Sequence, residues 1–306
     1  MSAKLIEGEA LATRIRNELG PEIEAIQGKT GAPPRLASLL ASDNPGARVY
    51  TRSQAKSCEE VGIAYDLVEL APDTSADTLG AKIDELGADP AVHGILLQMP
   101  LPPGIDAQQM AQRIPPAKDV EGITAANLGK LLFYEPSQLV PCTAAAAYEL
   151  IKFAGCQIKG AECVVVGHSP IVGKPVACLI TNDLGTCTIC HIGTRDLKAH
   201  TTKAEILVVA AGKAGLVRGE HIMPGATVID VGINRVPVLD EKGQPVVDDK
   251  GKKKMKTVGD VEFESAKKVA GAITPVPGGV GPMTVTMLLQ NTIEAAEKKA
   301  GVRRQT

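Results

Sequence analysis

Short apolar segments of strand length alternate along this chain with segments whose apolar residues recur at helical spacing. This alternation favours parallel sheets covered by helices, because parallel strands need a crossover between them. Ligands of such folds bind where the strands end, so the residues after each strand are the first candidates for a site. The pattern predicts strands at 35–42, 64–70, 92–98, 162–166, 186–191, 206–210, 227–231 and 271–273. It predicts helices at 5–27, 44–62, 75–86, 144–153, 176–181 and 285–298.

The length of the chain indicates two domains. Its 306 residues are about twice the ~150 residues of an average domain. Hydrophobic residues make up 44% and charged residues 22%, as in compact folded proteins. We predict an α/β fold with an N-terminal αβ domain (1–145 and 282–306) and a Rossmann-like, doubly wound parallel sheet (146–281). The C-terminal helix is expected to return to the first domain.

Charge and composition exclude several kinds of partner. The formal net charge of −2 gives no general attraction to nucleic acid or to anionic membranes. Aromatic residues are 2% of the chain and Trp is absent, so platforms for base stacking are scarce. No segment approaches the ~20 consecutive apolar residues of a membrane span. Charges within the first 20 residues are unlike a signal peptide, and we expect a cytoplasmic protein.

The seven cysteines are expected to be free thiols, because the number is odd and the spacing is irregular. Cys187, Cys190 and His191 match the CxxCH pattern of haem attachment, and CxxC also occurs in redox and zinc sites. The surrounding TCTICHIG alternates small and β-branched residues as a strand does. No second Cys/His pair follows at zinc-finger spacing. We therefore interpret the segment as a strand and predict no metal site.

A glycine-containing turn follows the predicted strand 162–166. In GHSPIVGKP, Gly167 and Gly173 would let backbone N–H groups approach a pyrophosphate at a helix N-terminus. Pro175 stands where a Walker A loop has its Ser or Thr, so that motif is excluded. Ser169 stands at the middle glycine of a Rossmann fingerprint. By itself the segment fits a plain tight turn equally well.

Several polar residues lie at predicted strand ends or on one helix face. Tyr50 and Gln54 are four residues apart and share a face of their helix, Gln98 ends a strand, and Glu121 lies in a loop. Each of them is unremarkable by itself. The segment 273–284, ITPVPGGVGPMT, is too rich in Pro and Gly to be explained by packing alone, and it makes the group worth considering together.

Nine segments together identify a resemblance to the bifunctional methylenetetrahydrofolate dehydrogenase/methenyltetrahydrofolate cyclohydrolase family. They are YTRSQAKSCEEVGI, GILLQMPLP, KDVEGIT, PCT, VVVGHSPIVGKP, CHIGTRDL, DVGIN, GDVEF and ITPVPGGVGPMT, which cover essentially the whole length in the family's order. The resemblance implies a folate domain, a Rossmann-like domain that binds NAD or NADP, a reduced pterin as substrate and a homodimer assembled through the nucleotide domains.

The resemblance also implies roles for individual residues. Tyr50 matches the Tyr that lies over the folate, Gln98 the Gln that supports the catalytic Lys, and Glu121 the acidic residue that hydrogen-bonds the pterin. The matching substrate-loop positions are Pro277, Gly278 and Gly281. The positions expected to contact the dinucleotide are Gly167, His168, Ser169, Ile192, Thr194, Arg195 and Ile233.

The chain departs from the family pattern at functional positions. Gln54 replaces the catalytic Lys, and Lys56, two residues further on, is turned well away around the helix. The remaining departures are Glu121 for Asp, His168 for Arg, Ile192 for Ser and Ala47 for Ser. We therefore expect cyclohydrolase activity to be lost or weak, while hydride transfer, which needs alignment more than a base, is retained.

The departures leave alternatives open for substrate and cofactor. A tetrahydromethanopterin-type carrier could replace tetrahydrofolate, or the chain could be a catalytically silent pterin- or nucleotide-binding protein. NAD is favoured over NADP, because His168 and Ile192 remove donors expected around a 2′-phosphate. Arg195 is the residue that could restore a phosphate contact.

Overall fold

The structure is a computed structural model that describes residues 2–135, 139–240, 243–247 and 251–302. Its strands are β1 (Lys4–Leu5), β2 (Arg35–Leu40), β3 (Ala64–Glu69), β4 (Gly94–Leu97), β5 (Glu162–Val166), β6 (Thr186–Cys190), β7 (Ile206–Val209), β8 (Thr227–Asp230), β9 (Asn234–Pro237), β10 (Met255–Val258) and β11 (Ala272–Ile273). Its α-helices are α1 (Gly8–Glu18), α2 (Gly20–Thr30), α3 (Pro45–Val61), α4 (Ala76–Ala88), α5 (Ala107–Gln112), α6 (Ala125–Leu132), α7 (Cys142–Phe153), α8 (Gly173–Asn182), α9 (Leu197–Thr201), α10 (Phe263–Ala266) and α11 (Val280–Ala300).

The chain divides into two compact units. The six-stranded unit consists of Met1–Leu11 and Thr143–Met283, and the three-stranded unit consists of Ala12–Cys142 and Thr284–Thr306. The division differs from the predicted domains at the N-terminus, which the sequence analysis placed wholly with the first domain. The physical reason is that β1 pairs with β11 and so joins the larger sheet.

The three-stranded unit is built on a parallel sheet in the order β3-β2-β4. The central strand β2 is buried without interruption from Leu36 to Leu40, because both of its faces are covered. Its Ala37 and Leu39 pack in one buried cluster with Ile95 of β4 and with Leu79 and Ile83 of α4. This core fixes the carboxyl ends of β2 and β4.

The six-stranded unit contains a parallel sheet in the order β1-β11-β8-β7-β5-β6. The chain starts in the middle of the sheet at β5, moves to β6 on one side and then to β7 and β8 on the other. Strand order therefore reverses between β6 and β7, next to β5, which is where doubly wound sheets bind nucleotides. The predicted two-domain α/β fold with a Rossmann-like sheet is confirmed.

Two predicted segments differ from the structure. The helix predicted at 5–27 is interrupted, because Pro21 lacks the N–H that a helix interior needs and instead starts α2. The content of Asp, Gly and Lys in the segment 239–255 predicts a solvated excursion. Its described part contributes Met255 to β10, which pairs antiparallel with β9, and 241–242 and 248–250 lie outside the described residues.

Within the described part of the chain, no helix combines the length and the apolarity needed to cross a bilayer. The same residues contain no group of three or more His, Cys, Asp or Glu side chains placed to hold a metal ion. The expected absence of a metal stays a prediction.

Candidate active site

Gln54 and Gln98 are joined by a buried hydrogen bond in the three-stranded unit. The Gln98 amide Nε2 donates to Gln54 Oε1 at 2.7 Å and to Ser38 Oγ at 2.9 Å. Tyr65 donates its hydroxyl to the same Gln54 oxygen at 3.3 Å, and burial raises the pKa of Tyr65 to about 12, so it stays a donor. Gln54 is 1% exposed. Its oxygen is therefore fixed as an acceptor of two hydrogen bonds.

The local sequence explains why these side chains meet. Asn44 caps α3 by accepting hydrogen bonds from the N–H groups of Gly46 and Ala47, which sets where the helix begins. Tyr50 and Gln54 then lie one turn apart on the same face. Gln98 directly follows β4, the neighbour of β2, so its side chain reaches Ser38 of β2 and Gln54 of α3.

Glu121 is held beside this pair by a rigid loop. The buried Asp119 accepts from the backbone N–H of Thr124 at 2.8 Å and from Asn127 Nδ2 at 2.9 Å. Burial, and to a lesser degree the neighbouring Asp119 charge, raises the pKa of the half-buried Glu121 to about 7. Glu121 is consequently able to change protonation state near neutral pH.

Cys142 is a cavity residue that sequence reasoning did not single out, although PCT was among the recognised segments. Burial raises the pKa of the Cys142 thiol well above its ordinary value, so the thiol stays protonated. Asn291 of α11 donates to the carbonyls of Val120 and Val140 at 2.8 and 2.9 Å and approaches Cys142 Sγ at 3.5 Å. Asn291 thus ties α11 to the residue before Glu121.

These side chains line one cavity of about 240 Å³. The structure therefore brings together the four residues predicted to be catalytic: Tyr50, Gln54, Gln98 and Glu121. Burial raises the pKa of Tyr50, and the nearby Cys142 and Glu121 raise it further. The cavity is completed by Leu96, Leu97, Met99, Cys142, Thr284 and Leu288. Lys56 is not among these residues, because it lies exposed on α3 with Nζ 3.7 Å from Glu60.

The predicted dinucleotide turn lies in the six-stranded unit between β5 and α8. Gly167 has φ +130°, and a Cβ there would lie 2.1 Å from the carbonyl oxygen of Ala210. A Cβ on Gly173 would lie 2.1 Å from the carbonyl oxygen of Gly167. Ser169 accepts from the N–H of Val172 at 3.1 Å and so fixes the turn that leads into α8. Close backbone packing therefore requires glycine at both positions. Because neither residue has a side chain, a phosphate can also approach the backbone N–H groups of the turn.

The segment after β6 lies beside this turn. The rings of His168 and His191 are 5.2 Å apart between centroids. Thr194 Oγ1 accepts from the His191 N–H at 2.9 Å, which folds the loop back on itself. Ile192 is fully exposed, and Arg195 is also exposed. The six cofactor-site residues predicted on these two loops thus lie at the ends of two adjacent strands.

The remaining predicted residues share a second cavity. Ile233 lines a cavity of about 180 Å³ together with Pro277, Gly278 and Gly281. Gly281 lies in the first turn of α11, which begins at Val280, five residues earlier than predicted. Gly278 has φ +105°, a conformation that glycine adopts without strain. The cavity also includes Asp230.

Two buried carboxylates hold these strand ends in place, a role that sequence reasoning missed. Asp230 accepts from the N–H groups of Gly232, Asp260 and Val261, and Asp260 accepts from those of Ala211 and Gly212. Burial raises the pKa of Asp230 to about 6. Both residues belong to recognised segments, Asp230 to DVGIN and Asp260 to GDVEF, and the backbone N–H of Asp260 donates to Asp230.

The CxxCH segment has a structural role in β6. Cys187 and Cys190 both belong to this strand, and burial raises the pKa of Cys187 to about 11. A thiol of that kind is a poor thiolate donor at neutral pH. His191 Nδ1 accepts from the N–H of Gly193 at 3.1 Å, which supports the loop and leaves that nitrogen occupied.

Together the fold and the sites define a class: α/β enzymes with a dinucleotide-type sheet in one unit and a polar substrate cavity in the other. A model of the "Tetrahydrofolate dehydrogenase/cyclohydrolase, catalytic domain" matches residues 6–121, and a model of the corresponding "NAD(P)-binding domain" matches residues 141–300. The chain belongs to the tetrahydrofolate dehydrogenase/cyclohydrolase family. This result confirms the predicted family and the prediction of an enzyme with a nicotinamide cofactor.

Relatives match over almost the whole chain. A bifunctional protein FolD from Azoarcus sp. (strain BH72) is 46% identical, over 98% of this chain and 98% of the relative. The crystal structure of the bifunctional FolD dehydrogenase/cyclohydrolase from Campylobacter jejuni has a TM-score of 0.88 at 39% identity and covers 97% of this chain and 99% of that chain. The Trypanosoma brucei enzyme, solved with NADP and an inhibitor, has a TM-score of 0.88 at 37% identity and covers 99% of this chain and 100% of that chain.

Proposed function

We propose that this protein catalyses reversible hydride transfer from methylenetetrahydrofolate to a nicotinamide cofactor, producing methenyltetrahydrofolate. The observation that carries the proposal is the cavity that gathers Tyr50, Gln54, Gln98 and Glu121 within the unit matched by the catalytic-domain model. The relatives, which are named as bifunctional enzymes of this type at 46% identity, support it. Because both family models name tetrahydrofolate, folate is preferred over a tetrahydromethanopterin carrier.

The residues of this cavity suit a reaction that depends on alignment. Hydride leaves the one-carbon unit as the adjacent nitrogens stabilise the developing cation, and the nicotinamide accepts it when bound. Tyr50 offers a partly exposed ring as a face for the pterin, and Glu121 offers a carboxyl group to the pterin's hydrogen-bond donors. Gln98 holds Gln54, so the wall of the cavity is preorganised. None of these roles requires a proton to leave the protein.

The β5–α8 turn is suited to hold the cofactor. Its two glycines leave room that a Cβ would fill, and α8 begins at Gly173 with its N–H groups at the turn. We propose Gly167, His168 and Ser169 as phosphate contacts, Ile192, Thr194 and Arg195 around the adenosine ribose, and Ile233 beside the nicotinamide. The affinity of the His168→Ala and Ile233→Ala variants for the cofactor, measured by fluorescence titration, tests these contacts without depending on activity.

We propose further that cyclohydrolase activity is absent or strongly reduced. Hydrolysis of the methenyl group needs a group that activates water and moves protons, and an amide has no proton-accepting state near neutral pH. Gln54 is also committed as acceptor to Gln98 and Tyr65. The raised pKa values of Tyr50 and Cys142 keep both side chains protonated. Glu121, whose pKa of about 7 lets it titrate, is the carboxyl group that we propose is occupied by the hydrogen-bond donors of the pterin.

NAD is the cofactor that we propose this protein prefers. A 2′-phosphate needs cationic or hydrogen-bond donor groups, and the exposed Ile192 offers neither. Arg195 favours NADP as the second candidate, since it is exposed three residues after Ile192. The ratio of kcat/KM for the two cofactors decides between them. A strong preference for NADP would overturn the NAD proposal and assign the phosphate to Arg195 or His168.

A homodimer is the assembly that we propose. The edge strand β6 supports it, because no strand among the described residues pairs with its outer side and Ile189 is 38% exposed. Light scattering should give about twice the chain mass of 31.9 kDa. A monomeric mass at micromolar concentration would contradict this assembly.

The activity is tested by incubating the protein with methylenetetrahydrofolate and each cofactor and following reduced nicotinamide. Turnover with either cofactor supports the proposal. Tight binding of the folate without turnover would instead indicate a catalytically silent binding protein. Turnover with methylenetetrahydromethanopterin but not with the folate would assign the other carrier.

A further inference from the structure

One cavity of the three-stranded unit lies away from the predicted catalytic residues. It has a volume of about 760 Å³, within the range of small-molecule sites. His93 precedes β4 and lines this cavity, whereas Gln98 follows β4 and lines the catalytic one. The two cavities therefore lie at opposite ends of the same strand.

Cationic side chains dominate the cavity that His93 lines. Four of its described lining residues are lysines, and none of the described lining residues is acidic. Lys118 Nζ donates to the carbonyl oxygens of Leu86 and Asp89 at 3.1 and 2.6 Å, and Lys299 donates to the carbonyl of Pro90. Carbonyl groups fix the positions of these ammonium groups without neutralising them. The four lysines are Lys118, Lys130, Lys298 and Lys299.

The other two lysines differ in their partners. Lys298 Nζ lies 2.8 Å from Glu294 Oε1, so its charge is shared with one carboxylate. Lys130, near the end of α6, has no side-chain partner among the residues that the structure describes. A bound anion would therefore gain a fully available ammonium group from Lys130.

His93 supplies a buried donor to the same cavity. Its Nδ1 accepts from the backbone N–H of Arg35 at 3.1 Å, so in the neutral ring the proton is on Nε2. In the described part of the chain, Nε2 has no hydrogen-bond partner. Burial lowers the pKa of His93, and the charges of Lys299 and Lys118 lower it further. The ring therefore stays neutral. The contribution of Lys299 and Lys118 to its lowered pKa shows that positive charge is concentrated here, and a bound anion would reduce that concentration.

The rest of the lining is apolar except for Asn127, whose amide Nδ2 donates to the Pro116 carbonyl and to Asp119. Val92, Pro116, Ala117, Leu139 and Ala295 have no hydrogen-bonding side chains, so they suit the carbon framework of a ligand rather than its charge. We infer that this cavity is a second ligand site, separate from the catalytic one, for a small organic phosphate. The lysines and His93 hold the phosphate groups, and the apolar wall holds the organic part.

Calorimetric titration of the full-length protein with ADP, in the presence of saturating NAD to block the dinucleotide turn, tests the site. One ADP should bind per chain. Lys130→Gln and Lys298→Gln should each weaken binding by about tenfold, the usual size of one lost charge-assisted contact. Lys159→Gln is the matched control, because Lys159 is exposed in the other unit and does not line the cavity. Far-ultraviolet circular dichroism confirms that each variant is folded.

Nuclear magnetic resonance of the histidine rings gives an independent readout. The chain has five His, so the ring signals can be assigned by single substitutions. ADP should shift the His93 signal and leave those of His168 and His191 unchanged. Equal binding by wild type and both cavity variants, shifts at His168 instead of His93, or no binding at millimolar ADP would each overturn the inference. Titration with inorganic pyrophosphate separates the phosphate contribution from that of the apolar wall.

Discussion

The Nε2 of Gln98 donates a hydrogen bond to the Oε1 of Gln54 across 2.7 Å, and this contact defines the chemistry of the cavity. Gln54 is 1% exposed and Gln98 4% exposed, so the pair is shielded from water. An amide at position 54 orients its neighbours but does not exchange protons near neutral pH. The predictions about hydrolysis follow from this pair.

Replacing Gln54 by Lys is predicted to produce or raise cyclohydrolase activity. Burial lowers the pKa of a lysine, so its amine could take up a proton near neutral pH, and general acid–base catalysis contributes ~10²–10⁴-fold. The measurement is the hydrolysis rate of methenyltetrahydrofolate, corrected for the buffer rate. Gln54→Met is the control, since it has similar size and no proton acceptor. Equal rates for the Lys and Met variants would show that position 54 does not limit hydrolysis.

Glu121 is predicted to make stability fall as pH rises from about 5 to about 7. Its pKa is about 7 in the folded protein against an ordinary value of 4.5, so between these values the folded state binds more protons than the unfolded state. Stability is therefore lost as pH rises through the folded pKa. The Glu121 contribution is on the order of 3 kcal/mol.

Urea unfolding of wild type and Glu121→Gln at a series of pH values measures this effect. Asp230 contributes its own dependence, because its pKa is also raised, to about 6, but it is the same in both proteins. The difference between the two curves should therefore grow in favour of the Gln variant up to about pH 7 and then level off. Parallel curves would show that Glu121 titrates near its ordinary value.

Gly173→Ala is predicted to weaken cofactor binding by at least tenfold. The added Cβ would lie 2.1 Å from the Gly167 carbonyl oxygen, so the β5–α8 turn must move away from the position that offers its N–H groups to phosphate. Fluorescence titration with NADH measures the effect. Gly129→Ala in α6 is the control, because a Cβ there meets no atom within 4 Å and no positive φ is involved. Unchanged affinity in Gly173→Ala would remove this turn from the cofactor site.

Asn291→Ala is predicted to reduce stability by about 1–3 kcal/mol, because one buried and one partly buried carbonyl group each lose a donor. These are the carbonyls of Val120 and Val140, so the loop that carries Glu121 also loosens. We expect KM for the folate to rise more than kcat falls. Thr292→Val is the control, because the Thr292 hydroxyl donates to the Leu288 carbonyl within the same helix and to no other residue that the structure describes. A fall in kcat at constant KM would argue against positioning through the loop.

Local patterns predicted the sheets well because several of their strands, such as β4, β5 and β7, are almost continuous apolar runs. Strand β5 was predicted with its observed bounds, and β8 to within one residue. The two-residue β1 carries no periodicity of its own and exists through pairing with β11. The hairpin of β9 and β10 was missed because its charged residues do not alternate with apolar ones in the way that marks a strand.

The candidate site was only partly predictable for a similar reason. Tyr50 and Gln54 follow from helical spacing, and Gln98 and Glu121 from strand ends and recognised segments. The Asn291 contacts to Val120 and Val140 join residues 171 and 151 positions apart, and no local pattern encodes them. The interlocked Asp230 and Asp260 also depend on tertiary packing, because each accepts from backbone groups of a distant loop.

The most direct test of the account compares the two products of one reaction. Wild-type protein is incubated with methylenetetrahydrofolate and NAD or NADP, and near-ultraviolet spectra are fitted for reduced nicotinamide and methenyltetrahydrofolate. The account predicts that both accumulate in equal amounts and that the methenyl product then decays at the rate of buffer alone. Reduced nicotinamide without accumulation of the methenyl product would contradict the loss of cyclohydrolase activity, and formation of neither product would contradict the dehydrogenase itself.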